Sequence, residues 1–204
     1  VALRQTNIVR MMAYSSISQG GFVLMPLAVA GMSEVSSSAL RSVVVYMLVY
    51  AATNLGMFAV IIAVSRKTRS GEISSWGGLF SYAPGLATLA TIFLASLAGI
   101  PPLGGWIGKF TAFQSLLSSG TNWGYALALI GAVNSVIAFG YYGTIMREMW
   151  MKPVPDGDTT RVVVPGSLAL VLGLTCVATL VLGVLPGVAT HFGDIARITG
   201  AFGG

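Results

Sequence analysis

Lys109 is the residue of this chain best placed to do chemistry. It is the only charged side chain between Glu72 and Arg147, and it lies just past Ile100-Pro101-Pro102-Leu103-Gly104-Gly105. Such a run cannot continue a helix, because each proline lacks an N–H donor and clashes with the preceding turn. Gly99, Gly104 and Gly105 add backbone freedom on either side. A break there frees carbonyls near 97–99 and N–H groups near 104–107, and these require water or polar partners. Lys109 is expected in the first turn of the second half-helix, where the positive end of the dipole works against a cation. Removal from water works the same way. An amine that sheds its proton near neutral pH is a usable proton relay. The competing reading is a lysine that snorkels from a helix end to the interface, but charges inside a membrane are functional by default.

Little else in the chain suggests a reaction. There is no phosphate loop, no nucleophile with its base and no dinucleotide fingerprint. Cys176 is the one cysteine, so neither an internal disulfide nor a Cys/His metal cluster is available. His191 is read as an interfacial residue. Nucleic acid is a poor partner for this charge pattern, since no basic patch is interleaved with aromatics.

The elements that must position Lys109 follow from composition. The chain is 55% hydrophobic and 8% charged, whereas soluble domains carry about 25% charged residues. This is the signature of an integral membrane protein, and its apolar runs predict an all-α fold with five transmembrane segments. Segment one, about 8–30, is unusually polar, with Tyr14, Ser15, Ser16, Ser18 and Gln19 in its middle. Segment two, about 41–65, carries Tyr46, Tyr50, Thr53 and Asn54 and is stopped by Arg66-Lys67-Thr68-Arg69. Segment three, 81–117, contains the break. Segment four, about 122–149, includes Asn134, Ser135, Tyr141 and Tyr142; segment five, about 162–185, is the blandest. Between the last two, 151–161 is a polar connector. The tail predicts a short interfacial helix, with Phe192, Ile195 and Ile198 on one face and Asp194 and Arg197 opposite. Arg10, Tyr14, Ser15, Ser18, Asn54, Asn134, Tyr141 and Tyr142 are the candidates for a polar path to Lys109, with packing of small and hydroxyl residues as the plainer alternative. Arg4 and Arg10 fit anchors at the membrane surface.

Charge asymmetry decides whether segment three crosses once or twice, because Lys and Arg gather on the cytoplasmic side. With one crossing, Arg4, Arg10, Arg66, Lys67, Arg69, Arg147, Lys152 and Arg161 share a side against Arg41 and Arg197: eight to two. With two crossings the split is six to four. A single interrupted crossing is therefore expected, with the 66–69 loop cytoplasmic and the C-terminus on the opposite face. Val1 opens directly into Leu3-Arg4-Gln5 with no initiator Met or signal-peptide pattern, which suggests the middle of a longer polypeptide.

Three stretches, in order, resemble one family. They are Leu3-Arg4-Gln5-Thr6-Asn7-Ile8-Val9-Arg10-Met11-Met12-Ala13-Tyr14-Ser15-Ser16-Ile17-Ser18, then Ser96-Leu97-Ala98-Gly99-Ile100-Pro101-Pro102-Leu103-Gly104-Gly105-Trp106-Ile107-Gly108-Lys109-Phe110, then Tyr141-Tyr142 with Arg147. Together they look like the C-terminal part of the antiporter-like subunits of respiratory complex I, NADH-quinone oxidoreductase. The Gly-Lys-Phe ending at 108–110 is most similar to the subunit N group, homologues of mitochondrial subunit 2. The resemblance covers nearly the whole chain.

That resemblance implies a translocase subunit that couples electron transfer from NADH to quinone, performed in other subunits, to proton pumping. Lys109 would be the lysine of an interrupted helix on the outlet side. Residues 1–117 would belong to the second of two inverted repeats, and 118–204 would add two C-terminal helices and the interfacial tail. The whole fold would have about fourteen crossings. The resemblance further implies no redox cofactor in this chain, with FMN, iron–sulfur clusters and quinone held by partner subunits. Packing is expected against subunits M and K and the lateral helix of subunit L, within the lipid bilayer of a bacterial inner membrane. One position departs from the pattern: Val9 stands where the family has a lysine, leaving Arg10, which cannot deprotonate usefully. The alternatives are a subunit of a multisubunit cation/proton antiporter or membrane-bound hydrogenase, or a structural membrane subunit without pumping.

Overall fold

A computed structural model describes residues 1–195. The described residues are all-α. After a 3-10 turn at Ala2–Arg4, helix α1 spans Ile8–Leu24 and passes into a second 3-10 turn, Met25–Val29. Helix α2 spans Ser36–Thr68. A 3-10 turn, Ile73–Trp76, and the short α3, Leu79–Tyr82, lead to α4, Pro84–Ala98. Then come α5, Gly104–Ser118; α6, Asn122–Met151; α7, Gly166–Val184; and α8, Pro186–Ile195. Three of these, α2, α6 and α7, are long and apolar enough to cross a membrane. Of the expected tail helix, Arg197 and Ile198 lie outside the described residues.

Local chemistry accounts for the boundaries. Asn7 caps α1: its side chain accepts from the N–H groups of Val9 and Arg10, both at 3.1 Å. Pro26, without an N–H, ends the helical part of the expected first segment early and leaves the 3-10 turn. α2 runs past its expected ends to 33 residues and stops at Arg69, which takes the left-handed conformation, φ 51°. Its last turn carries Arg66 and Lys67 beside the negative end of the dipole. Pro165 delays α7 to Gly166.

Apart from Arg41 and Lys109, the basic residues among the described residues collect at one end of the bundle. There Ile8 N–H donates to Gly71 O at 2.8 Å and Ile73 N–H to Thr6 O at 2.7 Å, tying the start of α1 to the loop after α2. Phe80 stacks on Trp150, ring centroids 4.3 Å apart, and the Trp150 indole donates to Thr91 Oγ1 at 2.9 Å. α4 therefore begins at the basic end, beside the last turn of α6. α5 finishes at the other end, where the Thr121 hydroxyl caps α6 by accepting from Gly124 N–H at 3.1 Å. α8 lies at that same end against the start of α2, and Arg41 pairs with Asp194 at 3.3 Å. The largest core cluster joins α1, α2, α4 and α6 through Met12, Met57, Val60, Phe93, Leu94, Tyr142 and Ile145.

The polar connector between α6 and α7 is held by one ammonium. Lys67 Nζ donates to Asp158 O at 2.9 Å and to Thr160 O, lies 3.7 Å from Asp158 Oδ2, and sits 3.9 Å from the centre of the Tyr82 ring. Asp158 Oδ1 in turn accepts from Thr160 N–H at 2.9 Å. The Thr160 backbone, then its side chain and the Lys67 charge, hold the Asp158 carboxyl below the usual carboxylate range. A carboxyl held lower in the folded state stabilises above its unfolded value of about 3.9, and loses that contribution as pH falls through the folded value. A spin label at Thr159 should therefore keep one mobility from neutral pH down to about 4 and loosen below it. In Lys67→Ala it should be loose throughout. Equal mobility at acid and neutral pH in the unmodified chain would refute the clamp.

Candidate functional site

The break occupies residues 99–103, between two 15-residue helices. α4 closes on Gly99, whose φ of +91° is a conformation other residues resist. Gly99 N–H donates to Ser96 O at 2.9 Å and Ile100 N–H to Ala95 O at 3.0 Å, which uses two of the final carbonyls. The Pro101–Pro102 bond is cis. Leu103 is extended, and α5 restarts with Gly104 and Gly105 as its first residues.

The groups that the break sets free are satisfied by side chains. Leu97 O accepts from Gln19 Nε2 of α1 at 3.0 Å, and Ala98 O accepts from Lys109 Nζ at 2.9 Å. Gly105 N–H donates to Ser96 Oγ at 3.0 Å. Gly105 can lie there only because it has no side chain, since a β-carbon would overlap the Ser96 carbonyl. Two adjacent carbonyls at the end of α4 are thus held by an amide and an amine from two other helices.

Lys109 is 3% exposed and its Nζ lies 4.8 Å from the centre of the Phe22 ring. Among the described residues, no carboxylate pairs with it. It occupies the second turn of α5, because that helix starts at Gly104, earlier than expected. The side chain folds back along Gly99 to the carboxyl end of α4. The dipole expectation is thereby corrected. The positive end of α5 fades within a turn, and the ammonium meets the negative end of α4. The charge is held by a carbonyl, a ring face and a helix end.

Gln19 is the hub of the surrounding hydrogen bonds. Its Nε2 also donates to Tyr142 OH at 3.1 Å, and its Oε1 accepts from Tyr46 OH at 2.5 Å. Tyr142 OH is hydrogen-bonded to Ser15 Oγ. Beside this chain a second set of hydroxyls links Ser96 to Thr53 at 3.2 Å and Thr53 to Thr179 at 3.3 Å. A small cavity of about 10 Å³ lies among Gln19, Tyr46, Thr53, Ser96 and Gly105, which is room for about one water centre.

The expected polar path divides in two. Ser15 and Tyr142 meet in the interior beside the break. Tyr14, Ser18, Asn134 and Tyr141 line a separate groove of about 290 Å³ between α1 and α6, where Asn134 Nδ2 donates to Ser18 Oγ at 2.9 Å. The Tyr141 and Tyr142 rings, 4.5 Å apart and edge-on, are where the two groups meet. Arg10 is exposed at the start of α1, and Asn54 is half-buried on α2; neither joins either group. Val9 also faces outward, 47% exposed, so a side chain there points away from the break. Gln19, Tyr46, Thr53, Ser96 and Thr179 were not among the expected site residues. A signal for Gln19 existed: Ile8, Met12, Ser15, Gln19 and Phe22 recur at helical spacing and form the buried stripe of α1. Among the described residues, no three of His, Cys, Asp and Glu come together to hold a metal.

Residues 1–138 match the family model for the transmembrane region of the NADH:quinone oxidoreductase/Mrp antiporter proteins. The chain belongs to that family. It is 36% identical over 196 residues to NADH-quinone oxidoreductase subunit N of Heliobacterium modesticaldum, covering 96% of this chain and 39% of that protein. Among solved structures, a chain of the membrane-bound sulfane sulfur reductase, an archaeal respiratory membrane complex, matches with TM-score 0.79 and 28% identity, over 94% of this chain and 37% of that one. A chain of respiratory complex I from Thermus thermophilus with bound Aureothin matches with TM-score 0.70 and 26% identity, over 93% and 41%. The chain spans about two fifths of the length of the relatives it matches.

Replacing Gln19 by Leu would strip the partner from Leu97 O and from Tyr46 OH and leave Tyr142 OH with Ser15 alone. An orphaned buried polar group costs about 1–3 kcal/mol. Gln19→Leu should therefore lower the unfolding temperature of the detergent-extracted protein, whereas Ser18→Ala, on the groove side, should barely change it. Equal melting of the two variants would refute the hub.

Proposed function

We propose that this chain is part of a subunit N of a complex I-type NADH:quinone oxidoreductase and carries protons across the membrane. The observation that supports it best is Lys109: a buried amine, unpaired with any carboxylate among the described residues, held on a carbonyl that a helix break has freed. An amine has three donors when charged and one acceptor lone pair when neutral, so it can take up a proton and pass it on without leaving its place. Electron transfer to quinone in neighbouring subunits would drive the loading and release. The chain binds no redox cofactor in this reading; FMN, iron–sulfur clusters and quinone belong to partner subunits.

The same reading sets the topology. At roughly 1.5 Å per residue, α4 and α5 are each about 22 Å long, short of a hydrocarbon core of about 30 Å. Joined through the break they make one crossing, which with α1, α2, α6 and α7 gives five. The basic end faces the cytoplasm of a bacterium and α8 lies on the opposite face. Residues 1–117 form part of the second antiporter-like repeat, and 118–204 add the two C-terminal helices and the tail. The lateral partners are subunits M and K and the long helix of subunit L. A second reading, a subunit of a multisubunit cation/proton antiporter, is favoured by the family model itself, which takes in NADH:quinone oxidoreductase and Mrp antiporter proteins alike.

Lys109→Ala, in the full-length protein within its membrane complex, should cut proton transport on the order of 10-fold or more while quinone still receives electrons. Lys109→Arg keeps the charge but cannot deprotonate usefully, so it should pump as poorly. Vesicles in which either variant transports protons at the unmodified rate would refute the relay. The subunits that co-purify decide between the two readings.

A further inference from the structure

Gln19, Lys109 and Ser96 hold the two helix ends at the break, but not residues 102–104 between them. That segment rests on α7. A β-carbon at Gly183 would overlap the Pro102 carbonyl and lie 2.6 Å from Gly104 N. One at Gly104 would lie 3.1 Å from Thr179 O and 3.7 Å from Leu182 Cβ. Residues 179, 182 and 183 recur at helical spacing, so a single face of α7 supports the segment. The same face supplies the Thr179 hydroxyl, fully buried, to the Thr53 and Ser96 set that receives Gly105 N–H. Two other glycines of α7, Gly166 and Gly173, have nothing within 4 Å of such a β-carbon. Gly183 is the one among these three whose missing side chain the packing requires. α7 also lies outside the residues matched by the family model, 1–138.

We propose that Gly183 and Thr179 are positioning residues for Lys109, acting through the start of α5. This rests on the reading of Lys109 as the proton-carrying group. The mechanical path is short. Gly183 sets how closely residues 102–104 approach α7; those residues fix where α5 begins. Lys109, five positions later, must reach Ala98 O at 2.9 Å. The atoms that a side chain at 183 would meet are backbone, so the segment itself must move. Thr179 fixes the same start by a second route, through Thr53 and Ser96 to Gly105 N–H.

The test uses membrane vesicles containing the assembled complex, with subunit content measured for each variant. Proton transport is read per electron delivered to quinone, a ratio that mere loss of folded protein leaves unchanged. Gly183→Val is expected to lower the ratio on the order of 10-fold, with Gly183→Ala in between. Thr179→Val should lower it several-fold and Thr179→Ser should restore it. Thr175→Val should leave it unchanged, because the Thr175 hydroxyl bonds its own helix at Val171 O, 2.7 Å. If Gly183→Val prevents assembly, the Thr179 pair decides. An unchanged ratio in Gly183→Val or Thr179→Val, beside a collapsed one in Lys109→Ala, overturns the role of α7 and leaves Lys109 standing. An unchanged ratio in Lys109→Ala overturns both.

Discussion

A helix that is interrupted within a membrane releases backbone carbonyls and N–H groups where no water waits for them, and the rest of this structure depends on how those groups are satisfied. Leu97 O and Ala98 O are adjacent, and each requires a donor. The donors are long, reach from α1 and α5, and must be held in register, which fixes the approach of three helices at once. Gly105 N–H requires an acceptor, and Ser96 Oγ supplies it by turning back from the end of the preceding helix. Lys109 Nζ is part of the hydrogen-bond set that makes the break tolerable, and the proposed relay would use that same atom.

How the neighbours are arranged bears on the chemistry. The surroundings of Lys109 are a carbonyl, an aromatic face and an amide-linked chain of hydroxyls, with no carboxylate among the described residues. Gln19 cannot itself titrate, yet it connects Tyr46 of α2, Tyr142 of α6 and Leu97 of α4 through one planar group. The phenols and Ser15 offer donors and acceptors with freely turning protons. Tyr142 belongs to this interior chain and Tyr141 to the groove that holds Tyr14, Ser18 and Asn134, so the two polar groups meet where those rings touch.

Much of this was legible in the sequence because punctuation residues act locally. Pro101, Pro102 and the glycines declare the break whatever surrounds them, and a lone lysine among the seventy-three neutral residues between Glu72 and Arg147 marks its own importance. Helix limits were less legible where tertiary packing overrides composition: α2 runs beyond its apolar part because both of its ends find partners, and Pro26 shortens α1. The interior partners were the least legible. Gln19 looks like one more polar residue in a polar segment until its spacing from Ser15 and Phe22 is read as a stripe. Thr179 and Gly183 sit in the blandest helix, and what they do depends on a segment eighty residues away. No local pattern encodes that contact.

The length of α2 has a consequence for the membrane boundary. Its 33 residues measure about 50 Å at 1.5 Å per residue. Fitting that length inside a hydrocarbon layer of about 30 Å would require a tilt above 50°, more than helices in membranes adopt, up to about 40°. The helix must therefore extend beyond the hydrocarbon layer. Its basic end, carrying Lys67, becomes a rigid post outside the hydrocarbon, and the 152–165 connector is moored to that post. The turn between α6 and α7 is in this way fixed by an upright from another part of the bundle, at a height that the bilayer does not set.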